Sequence, residues 1–517
     1  MVNSRERKVE QLLILCLGVF CCFNQLVIVH IHSIANLFPM VFALCAAPIL
    51  FKKVFVRTTQ TFEKEVNVLG MLLVFAAVIS LIRNRFVLVV RNSYIIIAIV
   101  VLFLLMYDSF YDQKAQFMKG FFTVIVALVF ACAVASILLL YFRVSIHYVL
   151  HGLNRWLGID GYTHRFCGVT GNSNNLTRFM FSGILLSGPL FVWYKHRVSK
   201  IILGICDLAM AYVIFLGDSR GINYAIYFGI AIAGMAWAFI NSKNWKELVC
   251  KMLIGGIAAA ILVVSMSSLS TLALNNIIYY DSNVQEIVPP SEIEQIPVPD
   301  PAPDPEVSKD TEGPGPGIIS REDDEFVKAD FSNGRFQIWK LGVQATLHER
   351  PLVGFTAANI KESLCNYADE NHIEISEPER AILGHMHNQF LQMFVGWGVF
   401  GLIAVGMFYF YFVKLTIKVI FGKKKKTDDK GLLLWYIFGA STLALYSMVE
   451  ASFFLSFDNE LMDITFFIIL ALYTRIINDN YGNEYIHDKL LSKISQSIIF
   501  SVNKVKGLFL QSMRVKA

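Results

Sequence analysis

His387, Arg335 and Arg220 are the side chains whose presence packing alone explains least. An imidazole changes charge near neutral pH and can take a proton from an attacking hydroxyl. A guanidinium stays charged and presents a planar fork of donors that matches phosphate oxygens. Each of the three lies in a polar cluster beside an apolar run. His387 sits with Asn388 in HMHNQFLQMFVGWGVFG (385–401), Arg335 in GRFQIW (334–339) and Arg220 at the centre of the turn GDSRG (217–221). Arg335 and Trp339 share a helix face at four-residue spacing. A fourth cluster, GNSNNLTRF (171–179), puts amide side chains and Arg178 at the start of another apolar run. Each cluster also has a plainer reading. GNSNN can be a capping turn, Arg220 a topology or capping residue, Arg335 a surface charge and His387 an interfacial histidine bonded to a carbonyl; His385 is read as structural.

The frame that must hold these groups is a membrane bundle. Of the 517 residues, 55% are hydrophobic and only 16% charged, against about 25% charged in soluble domains. Apolar runs of spanning length fall near 12–30, 34–50, 67–82, 92–107, 119–142, 173–193, 200–217, 222–240, 252–274, 388–421, 431–449 and 460–477. The expected fold is therefore an all-α integral membrane protein of about twelve transmembrane helices, with a large, partly helical loop before the tenth. The first run is long and lacks a small-residue cleavage site, so it is expected to stay as an anchor. Lysine-rich connections alternate with lysine-poor ones, which places both termini in the cytoplasm and the loop outside. The external connections and helix ends instead hold Arg83, Arg85, Arg91, Arg143, Arg155, Arg165, Arg178 and Arg220, and no lysine. An arginine-lined outer face suggests an anionic ligand at the outer leaflet.

The chain divides into an N-terminal bundle of nine spans (1–274), an external loop (275–387), a C-terminal bundle of three spans (388–478) and a tail (479–517). Within the loop, 289–317 is rich in proline and acid and reads as a disordered insert. After it, Ser332 or Asn333 can cap a helix from Arg335 to about His348, a second helix is expected near 357–370, and Pro378 begins a third. In the tail, apolar residues from Ile486 to Phe509 recur every three or four positions among lysines, the pattern of a basic amphipathic helix on an anionic leaflet. Most cysteines lie inside predicted spans; only Cys167 and Cys365 look external, and whether they pair is left open. No CxxC or clustered His/Cys spacing suggests zinc. Nothing calls for nucleic acid as a partner.

Taken together, GRFQIW, then RPLVGF, then HNQFLQMFVGWGVFG, with the earlier SRG turn, resemble the O-antigen ligase and polymerase family of bacterial membrane glycosyltransferases. The resemblance covers roughly residues 165–455. It implies a GT-C-like architecture in the cytoplasmic membrane, and catalytic positions at Arg220, Arg335 and His387. Asn172 and Asn174 fall in the family's asparagine-containing motif, and Glu450 resembles an acidic residue late in the family. With Arg178, Trp339 and Asn388 these are the candidate substrate-binding residues. The proline-rich insert departs from the compact loops of the family but removes none of the matched residues.

The implied donor is a glycan on polyprenyl pyrophosphate and the implied second substrate a glycan acceptor, with membrane lipids around both and a flippase and a chain-length regulator as further partners. No cofactor or metal is implied, since arginines can hold the charge of the departing pyrophosphate. A polymerase is favoured, with a ligase moving a finished glycan as the alternative in the same fold. A flippase is the alternative of another class. A flippase would not need an external loop ending in a histidine motif, and a passive scaffold leaves the arginine asymmetry without a cause.

Overall fold

Long apolar runs can satisfy their backbone groups in lipid only as helices, and helices dominate the computed structural model. It describes residues 4–30, 34–62, 64–112, 114–150, 153–160, 165–278, 335–375, 380, 383–421, 430–450, 460–481 and 489–515. The helices are α1 (Ser4–Asn24), α2 (Ile34–Phe51), α3 (Glu65–Arg83), α4 (Val89–Val101, continued to Asp112) and α5 (Ala115–Tyr141). There follow α6 (Ser173–Trp193), α7 (Arg197–Leu216), α8 (Arg220–Asn241) and α9 (Trp245–Ile278). The loop contributes α10 (Arg335–Glu349) and α11 (Ile360–Glu370), and the chain ends with α12 (Gln389–Phe421), α13 (Lys430–Val449), α14 (Glu460–Tyr481) and α15 (Lys489–Val515).

Among the described residues nine helices are long and apolar enough to cross a membrane: α3 to α8 and α12 to α14. The expected spans near 12–30, 34–50 and 252–274 fall on α1, α2 and α9, which are helical but not among those nine. The helical loop segments expected from Arg335 and near 357 are present as α10 and α11, the latter entered through a short 3-10 turn, Ala357–Asn359. The insert 289–317, the caps at Ser332 and Asn333 and the start of a helix at Pro378 lie outside the described residues. One element departs from the all-helical expectation. Between α5 and α6 a three-stranded antiparallel sheet forms from β1 (Ser145–Leu150), β2 (Leu153–Ile159) and β3 (Phe166–Gly168).

Charge ties the helices together at the end away from the loop. Lys53, buried, is held by Glu10 at 2.7 Å and Asp108 at 3.0 Å, while Lys64 reaches Asp108 at 2.5 Å and Asp112 at 2.9 Å. The amphipathic tail helix docks beside this network: Ile494, Ile498 and Ile499 pack on the core and Ser495 Oγ donates to the Phe62 carbonyl at 2.6 Å.

At the loop end the bundle is completed by a seam. Helix α12 breaks at Gly398, whose φ of 64° is open to glycine and strained for other residues. The break leaves backbone groups without helical partners, and the RPLVGF stretch supplies them. Phe355 N–H donates to the Val395 carbonyl, Thr356 N–H to Gly396, and Val399 N–H to Pro351, at 2.8–2.9 Å. Asn84 and Asn92 then staple the same stretch to the α3–α4 corner, Asn84 Nδ2 donating to the Gly354 carbonyl at 3.0 Å and Asn92 Nδ2 to Thr356 Oγ1 at 3.2 Å. The contact is too close for side chains: a Cβ on Gly398 would lie 2.3 Å from the Leu352 backbone, and one on Gly354 2.5 Å from Gly396. The two sequence motifs are thus two sides of one joint.

A Gly398→Ala protein is expected to lose about 2 kcal/mol or more from backbone strain and clash, read as a lowered Tm in detergent. Gly406→Ala, where a Cβ meets nothing within 4 Å, should leave Tm unchanged within error.

Candidate active site

The loop-facing end of α13 is where the candidate residues gather. Glu450 follows the last helical residue, and its N–H closes the final turn on the Tyr446 carbonyl at 2.9 Å. The carboxylate is 6% exposed, and a charge this buried needs partners. His387 Nδ1 lies 2.8 Å from Glu450 Oε1, His385 Nδ1 3.4 Å from the same oxygen, and Arg178 3.7 Å from Oε2. Arg178 also lies over the Tyr446 ring, 5.6 Å from its centroid. Burial opposes ionisation of Glu450, but the His387 hydrogen bond and the charges of Arg178 and the histidines outweigh it and hold the carboxyl well below the ordinary carboxylate range. An ionised carboxylate can only accept, so Nδ1 of neutral His387 carries the proton and Nε2 is left with a free lone pair.

Local structure fixes His387 in this pose. Its φ is 47°, a left-handed conformation costly for a side chain of this size. Three anchors hold it there. Trp339 Nε1 donates to the Met386 carbonyl at 2.5 Å, Met386 N–H donates to Gln392 Oε1 at 2.6 Å, and His387 N–H donates to His385 Nδ1 at 3.2 Å. Asn388 then starts α12. Its Oδ1 accepts from Leu391 N–H at 3.1 Å, the geometry of an N-cap, and its Nδ2 donates to the Met448 carbonyl at 2.8 Å. Arg335, at the first turn of α10, donates to the Val449 carbonyl at 2.9 Å. The end of α13 therefore receives both the loop helix and the entry of α12.

Arg220 comes to the same place from the other side. It opens α8, and a Cβ on its neighbour Gly221 would meet Val449 at 3.4 Å and Tyr446 at 3.5 Å. Arg165 holds the turn before it, donating to the Asn174 Oδ1 at 3.2 Å and to the carbonyls of Gly217 at 3.4 Å and Asp218 at 3.2 Å. Asn172 caps α6, accepting from the N–H groups of Asn174 and Asn175. The Arg220 side chain, partly exposed, makes no hydrogen bond or ion pair with the other described residues. Burial presses the Arg165 pKa down, and the charge of Arg220 pushes the same way. Ser219, the residue before α8, makes no side-chain cap, so the positive end of the helix dipole stands beside both arginines.

All nine predicted residues thus lie around the loop-facing ends of α6, α8, α10, α12 and α13. Eight of them spend side-chain groups on neighbours, His387 through Nδ1 and Arg335 through its guanidinium among them; Arg220 is the exception. The reading missed Arg165 as the clamp of the Arg220 turn, the Arg178–Tyr446 stack and the direct His385 contact. Arg165 was visible only as one external arginine among many. Cys167 and Cys365 are both free.

A bundle with nine helices long and apolar enough to cross a membrane among the described residues points to a multi-pass membrane protein, with cations and a His–Glu pair gathered at one end. The model of one family, described as O-Antigen ligase, matches residues 205–406. That stretch runs from α7 through the Arg220 turn, α10 and the His387 segment into α12. Over that stretch the chain is similar to the O-antigen ligase family, in keeping with the motifs at Arg220, Arg335 and His387. No curated protein matches the chain.

Removing one partner from a buried ion pair is costly, about 3 kcal/mol or more. An Arg178→Met protein should therefore be destabilised by roughly that amount in detergent unfolding. Adding Glu450→Gln should recover part of the loss, because the neutral amide no longer needs a cation; equal or greater loss in the double variant would contradict the pairing.

Proposed function

We propose that this protein is a polysaccharide polymerase that transfers a glycan from polyprenyl pyrophosphate to an acceptor sugar hydroxyl at the outer face of the cytoplasmic membrane. The observation that carries the reading is the His387–Glu450 hydrogen bond, which leaves Nε2 as an acceptor at the loop-facing end. His387 Nε2 takes the acceptor's hydroxyl proton as the oxygen attacks the anomeric carbon. The bond from that carbon to the pyrophosphate oxygen breaks, and the pyrophosphate leaves with the electron pair. Arg220, Arg335 and the N-terminus of α8 offset the charge that develops on it. One displacement inverts the anomeric centre, and no step needs a metal.

In this reading Arg178, Trp339, Asn388 and Glu450 serve substrate binding by holding His387, and Asn172 and Asn174 by holding the turn that carries Arg220. An open-sided groove of about 590 Å³, lined by Phe181, Phe215, Tyr227, Trp237, Trp435 and Phe438 among others, supports a donor with a long apolar chain, because it begins two turns along α8 from Arg220. Both termini would be cytoplasmic, and a flippase and a chain-length regulator would act beside the protein. A ligase would use the same chemistry on a different acceptor.

Purified protein given a lipid-linked donor in detergent with chelator should release polyprenyl pyrophosphate and build a ladder of products. A single product on a new anchor would indicate the ligase, and no release would exclude transfer. His387→Ala should lower the rate by about 100-fold to 10,000-fold, and Arg335→Ala and Arg220→Ala by about 100-fold or more each. Full-length product from correctly inserted variants would sink the assignment.

A further inference from the structure

We propose that His385, His387 and Glu450 form a transition-metal site that takes Zn2+ and, when filled, switches off the base. One ligand atom from each residue lies within 4.8 Å of the other two, and both histidines present Nδ1 to the same carboxylate oxygen. Two imidazoles and a carboxylate are a ligand set that suits Zn2+ and leaves a fourth position for water. The two histidine side chains are 23% and 24% exposed, so an ion can reach them from the loop-facing end.

The electron pairs make the case. His385 Nδ1 accepts the His387 backbone N–H, so it carries no proton in that arrangement. That N–H and the ring proton of His387 are the partners a metal would replace: Zn2+ would take the His385 Nδ1 lone pair from the backbone N–H and the place of the proton between His387 Nδ1 and Glu450. Arg178, on the far carboxylate oxygen, orients the ligand as outer partners of metal sites do. Its positive charge also weakens binding, which makes the site reversible. The histidine pair is separated from its carboxylate by more than sixty residues of sequence, so spacing gave no sign of it.

Filling the site has a chemical consequence. Metal at His387 Nδ1 displaces the proton there, and the neutral ring then carries it on Nε2. The proton moves between ring nitrogens through solvent, and nothing is oxidised or reduced. Nε2 becomes a donor and can no longer accept a proton from an acceptor hydroxyl. This consequence rests on the base reading above; the binding does not.

The test uses tag-free, full-length protein, stripped with chelator and titrated with Zn2+ in competition with a chromophoric zinc chelator. One Zn2+ per chain should bind in the micromolar range or tighter. His385→Asn keeps an oxygen to accept the His387 N–H but supplies a poor zinc ligand, and it should weaken binding by about tenfold or more. Transfer by each preparation is then compared in zinc and in chelator: the unaltered protein should slow about tenfold or more, and His385→Asn much less. No zinc bound in that range, equal binding by His385→Asn, or faster transfer in zinc would each overturn the proposal. If no preparation transfers glycan even in chelator, the functional reading fails, while the binding measurement still decides the site.

Discussion

Glu450 places a nearly buried negative charge at the end of a membrane-embedded helix. Such a charge is tolerated only where opposite charge and hydrogen bonds replace the water it has lost. Arg178 comes from α6, and His385 and His387 come from the entry to α12. The carboxylate therefore draws three separate parts of the chain to one point, and its demand for a donor sets the tautomer of His387. Arg335 and Asn388 reinforce the same point through the last carbonyls of α13, groups a helix end leaves unpaired.

This arrangement needs a rigid floor, which the seam at Gly398 provides. A straight α12 would have no reason to hold the loop. A broken one exposes backbone groups that residues 351–356 fill, and Asn84 and Asn92 lock that stretch to the α3–α4 corner. From this joint α10 and the His387 segment run back to α13. The strained backbone at His387 is affordable because these contacts over-determine it.

The helical frame was legible because apolar runs of spanning length have few alternatives in lipid. The helix at Arg335 was legible for a different reason, since Ser332 or Asn333 can cap its start and Arg350–Pro351 stops it. The strands at 145–168 were not, because three short segments next to a membrane carry too little alternation to stand out. The candidate residues were found as types at helix entrances, but not their pairings. Asn388 was named as a candidate substrate-binding residue, and its cap of α12 was not foreseen. Glu450 was named as a candidate substrate-binding residue, but its pairing with His387 could not be read because that partner lies 63 positions away, a contact made by packing α12 and the loop against α13. Arg165 could not be singled out among many external arginines, since only the fold brings it against the Gly217 and Asp218 carbonyls.

The central claim is that His387 and Glu450 act as one unit. Turnover of His387→Ala, Glu450→Gln and the double variant, measured with a lipid-linked donor on correctly folded protein, tests it most directly. Residues that act as a unit are strongly non-additive. The account predicts that the double variant is no slower than His387→Ala alone, because a carboxylate that only orients the imidazole has nothing to do once the imidazole is gone. Losses that multiply in the double variant would show that Glu450 acts independently of His387, and would contradict the account.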